Sequence, residues 1–158
     1  MTNVSETQLK KEIEIYYDKT SEIYQKYNAC MTISKHFIEE ENDFEEALPW
    51  LMKSYSEFER IEGLIQVVKY YMGMNRFLLA YSLALVCLFT QKFDNIGCSD
   101  FIYDFERHYL LAKICVKLNK KEEGTHHIKE ALEGLREEFD MYEEYLNSCK
   151  ELFLATGA

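Results

Sequence analysis

Apolar residues return every three to four positions through most of this chain, the spacing that gives a helix one buried face. Over residues 6–27 the stripe is Leu9, Ile13, Tyr16, Tyr17, Ile23, Tyr24 and Tyr27; over 29–41 it is Met31, Ile33, Phe37 and Ile38, as a second helix or a continuation of the first. Asn42-Asp43 then marks a break, since an aspartate there can accept the free amides of a new first turn. The helix it opens runs to about Phe58. It contains Pro49, which lacks an amide donor and predicts a kink or a reset start. Further helices fall at about 60–73, 76–91, 100–118, 121–136 and 138–154, and the one long loop, Lys92 to Ser99, holds Gly97 and an Asp94-Asn95 turn. The longest apolar run, Phe77 to Thr90, falls short of the roughly 18 residues that cross a membrane and reads as a buried helix.

Three helix junctions share one six-residue pattern: Asn42-Asp-Phe-Glu-Glu-Ala47, Asn75-Arg-Phe-Leu-Leu-Ala80 and Asn119-Lys-Lys-Glu-Glu-Gly124. Asparagine ends a helix well because it tolerates the left-handed backbone conformation. The small residue five positions later lets the returning helix approach its predecessor, and Phe44 and Phe77 sit where they would pack on it. Ahead of the second junction lie Leu64, Val67, Val68 and Tyr71; ahead of the third lie His108, Leu111, Ala112 and Cys115 in matching positions.

A spacing near 34 residues with this large–small–aromatic pattern resembles tetratricopeptide repeats. Residues 29–136 read as three degenerate copies, with Lys121 in place of the aromatic, Gly124 in place of alanine and no closing proline. Coincidental helix hairpins are the alternative. Arg60-Ile-Glu62-Gly-Leu64, Val68-Lys-Tyr70-Tyr71, Ala80-Tyr81, Tyr103-Asp104 and Glu123-Gly124 also follow in order. Together they resemble the helical-repeat region that accompanies family-2-type glycosyltransferase domains in bacteria and large DNA viruses, over roughly residues 47–132. That family's catalytic domain has no counterpart here, so the resemblance implies an accessory unit without transferase activity.

The expected fold is thus all-α, a single TPR-like α-solenoid of stacked antiparallel helix hairpins. Residues 1–28 form an N-terminal helix, 29–136 the three repeat-like hairpins and 137–158 a C-terminal capping helix, because a terminal repeat otherwise exposes an apolar flank. Composition fits. Of 158 residues 47% are apolar, enough for a core, while six glycines and one proline are too few for a fold built on tight turns. The start, Met1 to Glu6, lacks the basic and apolar regions of a signal peptide, and five cysteines (Cys30, Cys87, Cys98, Cys115, Cys149) show no C-x-x-C spacing. The expectation is a cytoplasmic protein with reduced thiols.

Charge changes the picture in one place. The net charge is −10, which disfavours nucleic acid, yet residues 63–121 carry eight bases against four acids. Acidic blocks elsewhere read as solvated helix faces. His126 and His127 are adjacent and point apart on a helix, His36 with Glu39 and Glu40 is a weak exposed site at most, and His108 falls at a core position. No catalytic, metal or cofactor motif stands out, so neither enzyme activity nor a cofactor is expected. Most of the twelve tyrosines fall on helical stripes, and Trp50 reads as a core anchor.

In tetratricopeptide-like units the first helix of each pair lines a concave wall. The repeat register then places His36, Lys69 and Lys113 in one row, with Ile65, Met72, Tyr109 and Lys117 beside it. This groove is the expected partner-binding site of a non-catalytic protein–protein interaction scaffold, docking a protein or an acidic or C-terminal peptide. The Lys/Asn clamp by which some tetratricopeptide domains hold a terminal carboxylate is not reproduced. Two other readings stay open: an assembly subunit that forms homo-oligomers through the tyrosine-rich first helix, and a small sugar-modifying enzyme. No membrane partner is expected.

Overall fold

The computed structural model describes residues 6–93 and 97–157; residues 1–5 and the Asp94-Asn95 turn lie outside them. Eight α-helices and one π-helical turn, with no strand, make up the regular structure among the described residues. The helices are α1 (Glu6–Tyr17), α2 (Ile23–Glu39), α3 (Phe44–Ser56), α4 (Ile61–Gly73), α5 (Phe77–Phe89), α6 (Arg107–Lys117), α7 (Lys121–Gly134) and α8 (Tyr142–Ala155), and the π turn is Phe101–Glu106. None is long and apolar enough to cross a membrane. The chain divides into two compact units, Met1–Leu64 and Ile65–Ala158.

In the first unit α1 packs on α2 and α2 on α3. The break between α1 and α2 falls at residues 18–22 rather than near residue 28, and side chains explain it. Asp18 accepts from the Thr20 amide and hydroxyl, both at 2.8 Å, and Glu22 forms a capping box with Gln25 that starts α2. Asp43 caps α3 as expected, accepting from the Glu46 amide. Pro49 sits inside α3 without resetting its start; the carbonyl it leaves unbonded belongs to Glu45, an exposed position where water can serve it. Trp50 packs edge-on against Tyr16 at 5.3 Å, beside a buried cluster of Tyr16, Ala29 and Cys30. Arg60 lies 4.0 Å over the Tyr27 ring and donates from Nε to Glu62.

In the second unit α5 packs on α6, α6 on α7, and α8 on both α6 and α7. The core is built from Val67, Val68, Ala84, Phe105, Leu111 and Ile128 among others. Residues 100–118, expected as one α-helix, begin as the π turn. At this wider turn the Asp104 carbonyl lies directly against Gly134, the last residue of α7. Asp104 also pairs with Arg136 and, at 3.1 Å, with Lys92, which reaches Asp100 at 2.6 Å. The Arg107 guanidinium donates to the Cys87, Leu88 and Thr90 carbonyls, closing the end of α5.

All three junction asparagines adopt the left-handed conformation, with φ of 52° at Asn42, 59° at Asn75 and 56° at Asn119. Two junctions agree bond for bond. Asn75 donates to the Met72 carbonyl and Arg76 to that of Tyr71; Asn119 donates to Val116 and Lys120 to Cys115. This paired arrangement satisfies the last free carbonyls of α4 and α6. The first junction is one residue wider, with Asp43 donating to Phe37. The small residues that follow, Ala47, Ala80 and Gly124, are buried in every case. A Cβ at Gly124 would lie 3.2 Å from the Cys115 Cβ, so glycine here sets how closely α7 approaches α6.

Candidate functional site

The second unit contains a cavity of about 600 Å³, within the size range of ligand sites. Three elements frame it. Lys69, Met72 and Gly73 come from α4; Tyr109, Lys113 and Lys117 come from α6 at i, i+4 and i+8; and Tyr145 comes from α8. Helical spacing alone puts the α6 trio on one face, and Asn75, Phe77, Glu106 and Leu110 complete the lining.

Its aromatic floor is tightly held. Tyr109 stacks on Phe105 at 5.2 Å and meets the edge of Tyr145 at 5.4 Å, while its hydroxyl pairs with Ser148 at 2.8 Å. Burial, and then the nearby Glu106 charge, push the Tyr145 phenol above its ordinary value, so this wall stays neutral.

The cations divide into two kinds. Lys69 is paired with Glu106, whose side chain is buried. Losing Lys69 would leave that carboxylate uncompensated, so Lys69 is part of the scaffold. Lys113 lies 5.2 Å over the Tyr109 ring, and Lys117 is exposed one turn further along. Neither has a carboxylate partner among the described residues. An anion entering the cavity would therefore meet two uncommitted ammonium groups beside an aromatic and aliphatic surface.

Of the seven residues expected in a groove, Lys69, Met72, Tyr109, Lys113 and Lys117 line this cavity. Ile65 does not: it is 2% exposed and belongs to the core. His36 belongs to the first unit, is 8% exposed and is bonded through Nε2 to Glu41 at 2.8 Å; it is neither an exposed ligand nor paired with Glu39 or Glu40. Tyr145 escaped sequence reasoning because α8 lies outside the repeat register; only its place on an aromatic stripe hinted at it.

Elsewhere several chemistry-bearing side chains are buried or tied to neighbouring helices. Tyr81 donates to Glu123 at 2.6 Å, tying α5 to α7. Burial pushes the thiols of Cys30, Cys87 and Cys115 up to about 12 and that of Cys149 to about 11, which makes them poor nucleophiles. His108 and His127 meet through their Nδ1 atoms at 3.4 Å. No group of three or more His, Cys, Asp or Glu side chains among the described residues is arranged to hold a metal ion. No protein-family model, curated protein or solved structure matches this chain.

Proposed function

We propose that this chain is a non-catalytic binding module whose second unit captures an acidic peptide segment. The observation that carries the reading is the pair Lys113 and Lys117, one helical turn apart and without carboxylate partners among the described residues, above the Tyr109–Tyr145 floor. In a chain of net charge −10, two such cations side by side form a local attractor for negative charge. The carboxylates of the segment pair with the lysines, and an apolar neighbour covers Met72, Phe77 and Leu110. A rigid aromatic floor lowers the ordering cost of capture, because Tyr109 and Tyr145 are already fixed by their neighbours. The resemblance to repeats that accompany glycosyltransferase domains suits such a role, as the binding arm of a larger assembly.

A random peptide library selected on the immobilised protein tests this. Enriched sequences are expected to carry Asp or Glu clusters next to an aromatic or aliphatic residue. Selected peptides should lose at least about tenfold in affinity on Lys113→Glu/Lys117→Glu, with an unchanged helical signal. Enrichment of basic or uncharged sequences, or full affinity in the double variant, would contradict the proposal.

A further inference from the structure

Helix α5 departs from its expected burial. Residues 77–91 carry no charge in a chain that is 29% charged, yet one face of the helix is open. Leu78, Ser82, Val86 and Phe89 form that face at helical spacing; Leu78 is 72% and Phe89 81% exposed. The hydroxyls along it are already satisfied, Ser82 donating to the Leu78 carbonyl and Thr90 to that of Val86. Covering the stripe would therefore strand neither hydroxyl. At the opposite end from Phe89, a cavity of about 440 Å³ opens between Phe77, Leu78, Leu79 and Leu118, with Asn75 and Arg76 also in its lining.

The stripe thus ends in an apolar knob at Phe89 and, at Leu78, borders a hole lined mainly by apolar side chains. Knob and hole are eleven residues, or about 16 Å, apart. We propose that two copies of this chain associate antiparallel through α5, the Phe89 ring of each filling the cavity beside Leu78 of the other. A two-fold axis midway between positions 78 and 89 satisfies both contacts at once, as a self-complementary interface requires. Ser82, small and close to that axis, lets the helices approach. Charge selects the same surface. Two copies at −10 repel each other over most of their area, whereas this stripe carries no charged side chain and the hole at its end adds only the cationic Arg76. Lys92, just beyond, is committed to Asp100 and Asp104. The interface lies on a different helix from the tyrosine-rich α1, and its hole adjoins the peptide cavity, sharing Asn75 and Phe77 with it.

Sedimentation across roughly 5 to 200 µM protein should show a monomer–dimer equilibrium that tightens as salt screens the like charges. Phe89→Asp and Leu78→Asp, both at exposed positions, should each raise the dissociation constant about thirtyfold or more, with unchanged thermal melts. In a mixture of labelled and unlabelled protein, intermolecular NOEs should connect the Phe89 ring to the Leu78 methyls. A chain that stays monomeric throughout, leaving α5 to some other protein, overturns the proposal. So does a dimer that survives both substitutions, or NOEs that join Phe89 to Phe89.

Discussion

Gly134→Ala is expected to destabilise the protein by about 3 kcal/mol, lowering the melting temperature by roughly 6–12 °C. A Cβ at this position would be driven onto the Asp104 carbonyl and would lie 3.2 Å from the Phe105 amide nitrogen. Both obstacles are backbone, so no side-chain rotation relieves the clash. Either α7 must move away from the π turn or the turn must re-form, and each course disturbs the Asp104–Arg136 pair and the buried Phe105. Gly73→Ala provides the control. Nothing lies within 4 Å of a Cβ there, and alanine favours the helix, so a gain of about 0.5–1 kcal/mol is expected. Thermal melts of the two variants should move in opposite directions. Equal, small shifts would mean that α7 does not seat on the π turn.

Acid is expected to weaken the second unit through its histidine pair. Burial pulls the His108 imidazole down to about 4, with Arg107 and His127 adding to the effect; burial, then the charge of His126, lowers His127 as well. Glu130 opposes both shifts, and Glu123 opposes that of His127. The folded state holds both rings neutral, whereas unfolded rings take a proton near pH 6.5. The stability these rings contribute is therefore intact above about pH 6.5 and is lost as pH falls toward 4. With allowance for the water that still reaches the rings, the loss is about 1–2 kcal/mol. Self-repulsion works the other way, since the net charge shrinks toward the isoelectric point of 4.9. The comparison that isolates the pair is urea unfolding of the wild type and of His108→Leu/His127→Leu at pH 7.5 and 5. The wild type should lose more stability between the two values than the variant. Identical losses would show that the pair does not titrate with folding.

Local backbone chemistry was the most legible part of this sequence. Asn42, Asn75 and Asn119 announce left-handed residues because few other side chains tolerate that conformation, and the structure places all three there. The helix break at Asp18–Glu22 was equally local, but the continuous apolar stripe of Leu9 to Tyr27 masked it. Patterns set by tertiary packing were harder to read. Apolar on every side, α5 gives no periodic cue to which face is covered, so its open Leu78–Phe89 stripe looked like core. The repeat register placed the α6 trio of Tyr109, Lys113 and Lys117 together because one helix fixes their spacing. It misplaced Ile65, four residues before Lys69 on the same helix, because such positions differ by about 40° around the axis, enough for one to face the core and the other solvent. Lys69 itself looked like a free cation, and only the fold brings the buried Glu106 to it.

Charge reversal followed by calorimetry bears most directly on peptide capture. A selected acidic peptide titrated into wild-type protein should bind, and raising the salt should weaken it, as expected for pairing with Lys113 and Lys117. Lys113→Glu/Lys117→Glu should lose that peptide and gain one in which the acidic residues are replaced by lysine. Recovery with the reversed peptide is the result the account requires. A double variant that binds the original peptide as tightly as the wild type, or that fails to prefer the reversed one, would place recognition elsewhere on the chain.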